Sequence, residues 1–234
     1  MIVAAAVCPH PPLLVPEVAV GAAGELDACR SACARALQVV AGRRADLLVL
    51  VGGGPTTTMH ASGAAGSLQP FGVPVEAALG RADGSRIPTL PLSLTVGAWL
   101  ARGWEGPVEG VEVDADAEPS ECFRLGAEVA ARAERVALLV LADGSARRGP
   151  TAPGYTDPRA QPFDASVEQA LATGDPRTLA TLDPDLATDL LVGGRAALQV
   201  LAGAAEPTSW DGQVLYADDP YGVRYVVAVW TPAT

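Results

Sequence analysis

A chain of 234 residues, of which 49% are hydrophobic, carries enough apolar side chain to bury a full core, which excludes a disordered or fibrous protein. A net charge of −11 argues against a nucleic-acid backbone or an anionic membrane as partner. No apolar run approaches the length of a bilayer span, and the N-terminus reads as a strand rather than a secretory leader, so the expectation is one cytoplasmic domain over 1–234.

Ile2 to Val7 predicts a first strand, delivered into the proline-rich loop Cys8-Pro9-His10-Pro11-Pro12. Leu26, Cys29, Cys33, Leu37 and Val40 fall at helical spacing and predict a helix over about Gly21 to Val40. Leu47 to Val51 is an unbroken apolar run, suited to a strand buried on both faces. Gly52-Gly53-Gly54-Pro55 is expected to stop it and to open a polar loop holding Thr56, Thr57, Thr58 and His60. Leu68 to Arg86 reads as irregular, with a short strand at Val73 to Ala77, and Pro91 to Trp99 as a helix with proline in its first turn.

Val108 to Val113 alternates as a strand, and Cys122, Leu125, Val129 and Ala133 carry the helix that begins at Glu118. Val136 to Leu141 is a second unbroken apolar strand, ending in the turn Ala142 to Pro150. The long loop Thr151 to Pro162 has the length and composition of a lid. Helices over Asp164 to Leu171 and Asp185 to Ala202 precede two closing strands, Gln213 to Tyr216 and Val223 to Trp230, joined by a hairpin at Asp218 to Gly222. Strands alternating with helices and closed by an antiparallel pair predict an α/β fold: a three-layer α/β/α sandwich on a mixed, mainly parallel central sheet.

The chemistry-bearing residues are few. The chain has two histidines, His10 and His60, each in a loop after a core strand. If those strands are neighbours, both imidazoles face one crevice at the carboxyl ends of the sheet, where α/β folds bind ligands. The four cysteines form no CxxC pair and read as buried free thiols, with Cys8 of interest because it lies two residues from His10. The glycine run lacks the lysine of a phosphate loop and the spacing of a dinucleotide fingerprint. The four tryptophans default to packing.

Three motifs resemble the class III extradiol ring-cleavage dioxygenases, the superfamily of the catalytic B subunit of protocatechuate 4,5-dioxygenase, to which Memo-like proteins are also related. They are Pro9-His10-Pro11, Met59-His60-Ala61-Ser62, and Asp143-Gly144-Ser145-Ala146-Arg147 followed by Ala152-Pro153-Gly154-Tyr155 and Pro162-Phe163-Asp164. The resemblance implies His10 and His60 as ligands of a non-haem Fe(II), with zinc or another divalent metal as substitutes, and a small aromatic substrate. A carboxylate from the C-terminal half completes such a site; apolar Leu191 falls near the family position, Asp189 and Asp185 are the nearest candidates, and Asp143 and Glu17 are further ones. Two imidazoles and one carboxylate on one face of iron leave positions open for a catecholate and dioxygen.

The third motif departs from the family, which has histidine as acid/base where this chain has Ala146. Tyr155, Asp143 and Cys8 are the remaining groups with proton chemistry. Three readings follow: a non-haem iron oxidoreductase with altered acid/base machinery, an inactive relative keeping the fold and a small-molecule or metal pocket, and a metal-dependent hydrolase. A homodimer is compatible with all three.

Overall fold

The computed structural model describes residues 1–81 and 87–233. In chain order the elements are β1 (Ile2–Cys8), α1 (Pro16–Ala19), α2 (Asp27–Ala41), β2 (Leu47–Gly54), β3 (Thr58–His60), β4 (Ala65–Ser67), β5 (Glu76–Ala78), α3 (Leu92–Leu100) and β6 (Val108–Asp114). There follow α4 (Pro119–Ala130), β7 (Val136–Leu141), α5 (Ala160–Thr173), α6 (Pro176–Ala180), α7 (Pro184–Asp189), α8 (Arg195–Ala205), β8 (Trp210–Asp218) and β9 (Tyr225–Pro232).

Seven strands form one sheet in the order β3-β6-β2-β7-β1-β9-β8. The inner strands β6, β2, β7 and β1 are parallel, whereas β3, β9 and β8 join antiparallel, so the expected three-layer sandwich on a mainly parallel sheet is the architecture. Every residue of β1 and β7 is buried. Alternation sends Val7, Val51, Val111 and Val140 into the core under α4, α5 and α8. The other face meets α2 and α3 through Ala6, Cys8, Leu50 and Leu139.

Alanines at positions 4 and 6 of β1 leave room for α2, which buries Cys29, Ala32, Cys33, Ala36 and Val40. On the opposite face α4 and α8 approach so closely that a Cβ on Gly126 would lie 2.5 Å from the Ala204 amide nitrogen. Buried Arg195 ties α8 to the end of β6, donating to the carbonyl of Ala115 at 2.6 Å and to the Gln199 side-chain oxygen at 3.0 Å.

Several boundaries differ from the sequence reading. The glycine run does not end β2 but extends it to Gly54, and Thr58 to His60 is an edge strand rather than loop. The helix expected from Gly21 begins at Asp27, after a 3-10 stretch. The helix expected over Asp185 to Ala202 is two, α7 and α8, because Leu191 takes a left-handed backbone (φ 56) between them. Of the irregular stretch 68–86, residues 82–86 lie outside the described residues. Among the described residues no helix is long and apolar enough to cross a membrane.

Candidate functional site

His10 follows the carboxyl end of β1, whereas His60 pairs with Gly110 midway along β6, so the two are not brought to one point. The strands they follow, β1 and β2, are not neighbours, because β7 runs between them. His60 lies further out, on β3, four strand steps from β1 and so about 19 Å away by backbone at ~4.8 Å per step. Each imidazole is instead paired with a carboxylate of its own.

His10 is held from the end of β7. Its amide donates to Oδ1 of Asp143 at 2.8 Å, and its Nδ1 lies 3.7 Å from the same oxygen. That ring nitrogen is buried without a hydrogen-bond partner. The opposite ring edge runs past Gly193, where a Cβ would stand 3.8 Å from Cε1 and 3.9 Å from Nε2. Asp143 is fixed in turn by an isolated bridge to Tyr225 of β9.

His60 is held from β6. Its Nε2 lies 2.9 Å from Oε2 of Glu112, and the two side chains are only 10% and 6% exposed. Glu112 accepts from the Thr56 amide and hydroxyl through Oε1, both at 3.2 Å. Glycines make the space. Gly110 is the ladder partner of His60, and a Cβ there would crowd Leu79 at 2.9 Å and Leu94 at 3.1 Å, which pack beside it. A Cβ on Gly54 would fall 2.6 Å from Cγ of Glu112, and one on Gly52 2.5 Å from the Ser93 hydroxyl. The glycine run thus lets side chains from β6 and α3 lie over β2.

The metal site implied by the resemblance does not assemble from these residues. Among the described residues no three of His, Cys, Asp and Glu gather in a way that could hold a metal ion. Asp189, the expected third ligand, is an exposed residue of α7 ion-paired to Arg159 at 3.1 Å. The proton candidates fare unevenly. Asp143 does stand beside His10, whereas the Tyr155 side chain is 91% exposed on the surface. Cys8 is fully buried on the sheet face that packs against α2.

No family model and no curated protein matches this chain. A solved structure described as the uncharacterized protein JW3007 from Escherichia coli K12 is similar to it, with a TM-score of 0.57 at 15% identity. The match covers 98% of this chain and 99% of that one, so the whole fold is shared.

The turn after β7 is built on a buried carboxylate that sequence reasoning did not single out. Asp164 accepts from the Ser145 amide at 2.9 Å and its hydroxyl at 2.6 Å, and Arg148 stands 3.7 Å away. Burial raises the Asp164 pKa, opposed by the Ser145 hydrogen bonds and by Arg148 and Arg224. A small cavity between Asp143, Asp164, Phe163 and Val192 has about 20 Å³ of space, room for one water at the ~10–15 Å³ each needs.

The expected loop Thr151 to Pro162 is shorter, because α5 takes its last three residues, and residues 151–159 pack on this turn. The Gly154 amide donates to the Ala146 carbonyl at 3.2 Å, and the Asp157 amide to Arg147 at 3.2 Å. Leu191 meets it from the far side, 3.0 Å from where a Gly154 Cβ would be. The segment therefore sits at the same sheet edge as Asp143, as a lid would. Ala146 is buried, and its amide is taken by the Leu190 carbonyl at 3.0 Å.

Proposed function

We propose that this chain is a divergent extradiol-dioxygenase-like protein whose strand-end site binds a small hydroxylated aromatic molecule without cleaving its ring. The observation that carries this reading is the setting of His10. Its main chain is clamped by Asp143 at the end of β7, and its buried Nδ1 is left without a hydrogen-bond partner among the described residues. The three family-like motifs support the superfamily, and the first and third, at the carboxyl ends of β1 and β7, support a ligand site there.

Two departures argue against ring cleavage. The family acid/base position is Ala146, and a missing positioned acid/base costs ~10²–10⁴-fold. At the third ligand position the family-like candidate Asp189 is held at the surface by Arg159. In this reading His10 and Asp143 orient a hydroxyl group, and no step runs through iron.

The test is anaerobic loading with Fe(II), followed by protocatechuate or catechol and dioxygen, with product read by near-ultraviolet and visible absorbance. The expected result is no ring-cleavage product above a protein-free Fe(II) control, together with catechol-induced shifts of the His10 ring resonances. Turnover by the unmodified protein would overturn the loss of ring cleavage. Unmoved His10 resonances would overturn the binding site.

A further inference from the structure

The pair formed by His60 and Glu112 stands apart from the His10 site, on different strands, and does not depend on how His10 is used. We propose that it is a second site, in which Glu112 is the positioning residue that fixes His60 as the Nε2–H tautomer and so presents the Nδ1 lone pair to a neutral, hydroxyl-bearing ligand.

The tautomer follows from the donor count. An ionised carboxylate only accepts hydrogen bonds. Glu112 Oε1 already takes the Thr56 amide and hydroxyl, and Oε2 faces Nε2 of His60 at 2.9 Å. The ring nitrogen opposite that oxygen must therefore carry hydrogen. In a neutral imidazole this leaves Nδ1 as the acceptor. Nδ1 has no hydrogen-bond partner among the described residues, and it is not among the polar atoms closed off from solvent. A carboxylate behind one nitrogen and an open lone pair on the other is how proteins orient an imidazole toward a ligand.

The local structure is organised around this arrangement. Glu112 faces the α3 side of a sheet covered on both faces, a costly place for a carboxylate unless all its oxygens are used. Gly54 is the position where a side chain would displace the carboxylate. Thr56 is further tied to Thr58 through their hydroxyls at 3.1 Å, which anchors the short β2–β3 connection. The ligand class follows from charge. A lone pair beside Glu112, on a chain with a net charge of −11, repels anions and accepts an O–H donor.

The chain has only two histidines, so His10→Gln in the full-length protein leaves one imidazole to observe. Ring 15N shifts at pH 8 should then report His60 as the Nε2–H tautomer with an unprotonated Nδ1. Phenol, used as the probe, should move the Nδ1 resonance in a saturable way. Glu112→Gln should lower the Nε2–H to Nδ1–H ratio at least about tenfold and weaken the phenol response by a similar factor, the low end of the ~10–100-fold that losing the carboxylate partner of a metal-binding imidazole costs. Glu112→Asp, which keeps the charge, should restore part of both. A dominant Nδ1–H tautomer in His10→Gln protein would overturn the proposal even if Glu112→Gln fails to fold. A tautomer ratio unmoved by Glu112→Gln would remove Glu112 from its role. Phenol that leaves Nδ1 unmoved up to its solubility limit would refute the ligand class.

Discussion

Substituting Gly54 by alanine tests the packing on which the Glu112 geometry depends. The glycine has no left-handed backbone requirement, so the change acts through space alone. The new Cβ would stand 2.6 Å from Cγ and 2.7 Å from Cδ of Glu112, so the whole side chain must leave rather than bend at its tip. Departure strips acceptors from the Thr56 amide and from His60 Nε2, hydrogen bonds to a charged group worth ~1.5–3 kcal/mol each. Partial rehydration at the strand end lowers the sum to about 2–4 kcal/mol, and the reduced freedom of the unfolded chain returns ~0.4–1 kcal/mol. A net loss of about 1.5–3 kcal/mol corresponds to a Tm lower by roughly 3–12 °C for a domain of this size. Thermal unfolding followed by circular dichroism reads it, with Gly149→Ala as control, since nothing lies within 4 Å of a Cβ there. An unchanged Tm with an unchanged His60 ring spectrum would mean that Glu112 does not lie over Gly54, and both the packing argument and the second site would fall.

Gly126→Ala should destabilise the protein by about 1–3 kcal/mol, although alanine in a helix ordinarily gains ~1 kcal/mol over glycine. The reason is that the Cβ meets α8 backbone, 2.5 Å from the Ala204 nitrogen, which cannot swing aside; a urea midpoint at or above wild type would refute it. Asp164 gives a pH dependence. Burial raises its folded pKa above the usual aspartate value, so its contribution is fully present below the unfolded pKa and is lost as pH rises through the folded pKa. Asp164→Asn should therefore lose less stability than wild type over that rise, read from denaturant midpoints across the acid range, and parallel profiles would contradict the raised pKa.

The layers of the fold were legible because the strands announce themselves. Val136 to Leu141 and Leu47 to Val51 are apolar throughout, and only a sheet covered on both faces uses such runs. The glycine run was misread because its role is tertiary. Glycine at positions 52 and 54 does not break β2 but makes room for Ser93 and Glu112, which arrive from elements 40 and more residues away. The break at Leu191 was hidden for a different reason. Residues Asp185 to Ala202 keep helical apolar spacing through a left-handed residue that no local preference would choose.

The site was half legible for a related reason. Proline and glycine contexts marked His10 and His60, but strand order decides whether two strand-end residues meet, and one sequence does not give it. Glu112 left a signal that could have been used. In Val108-Glu109-Gly110-Val111-Glu112-Val113 the valines at 111 and 113 face one core, so Glu112 must face the other. A carboxylate predicted to point into a covered sheet face demands donors close by. The next question is which side chain can reach it, and the edge strand answers with the one imidazole that has no other partner. Buried charge on the wrong parity of a core strand is thus a better guide to this site than any motif, because it follows from desolvation rather than from resemblance.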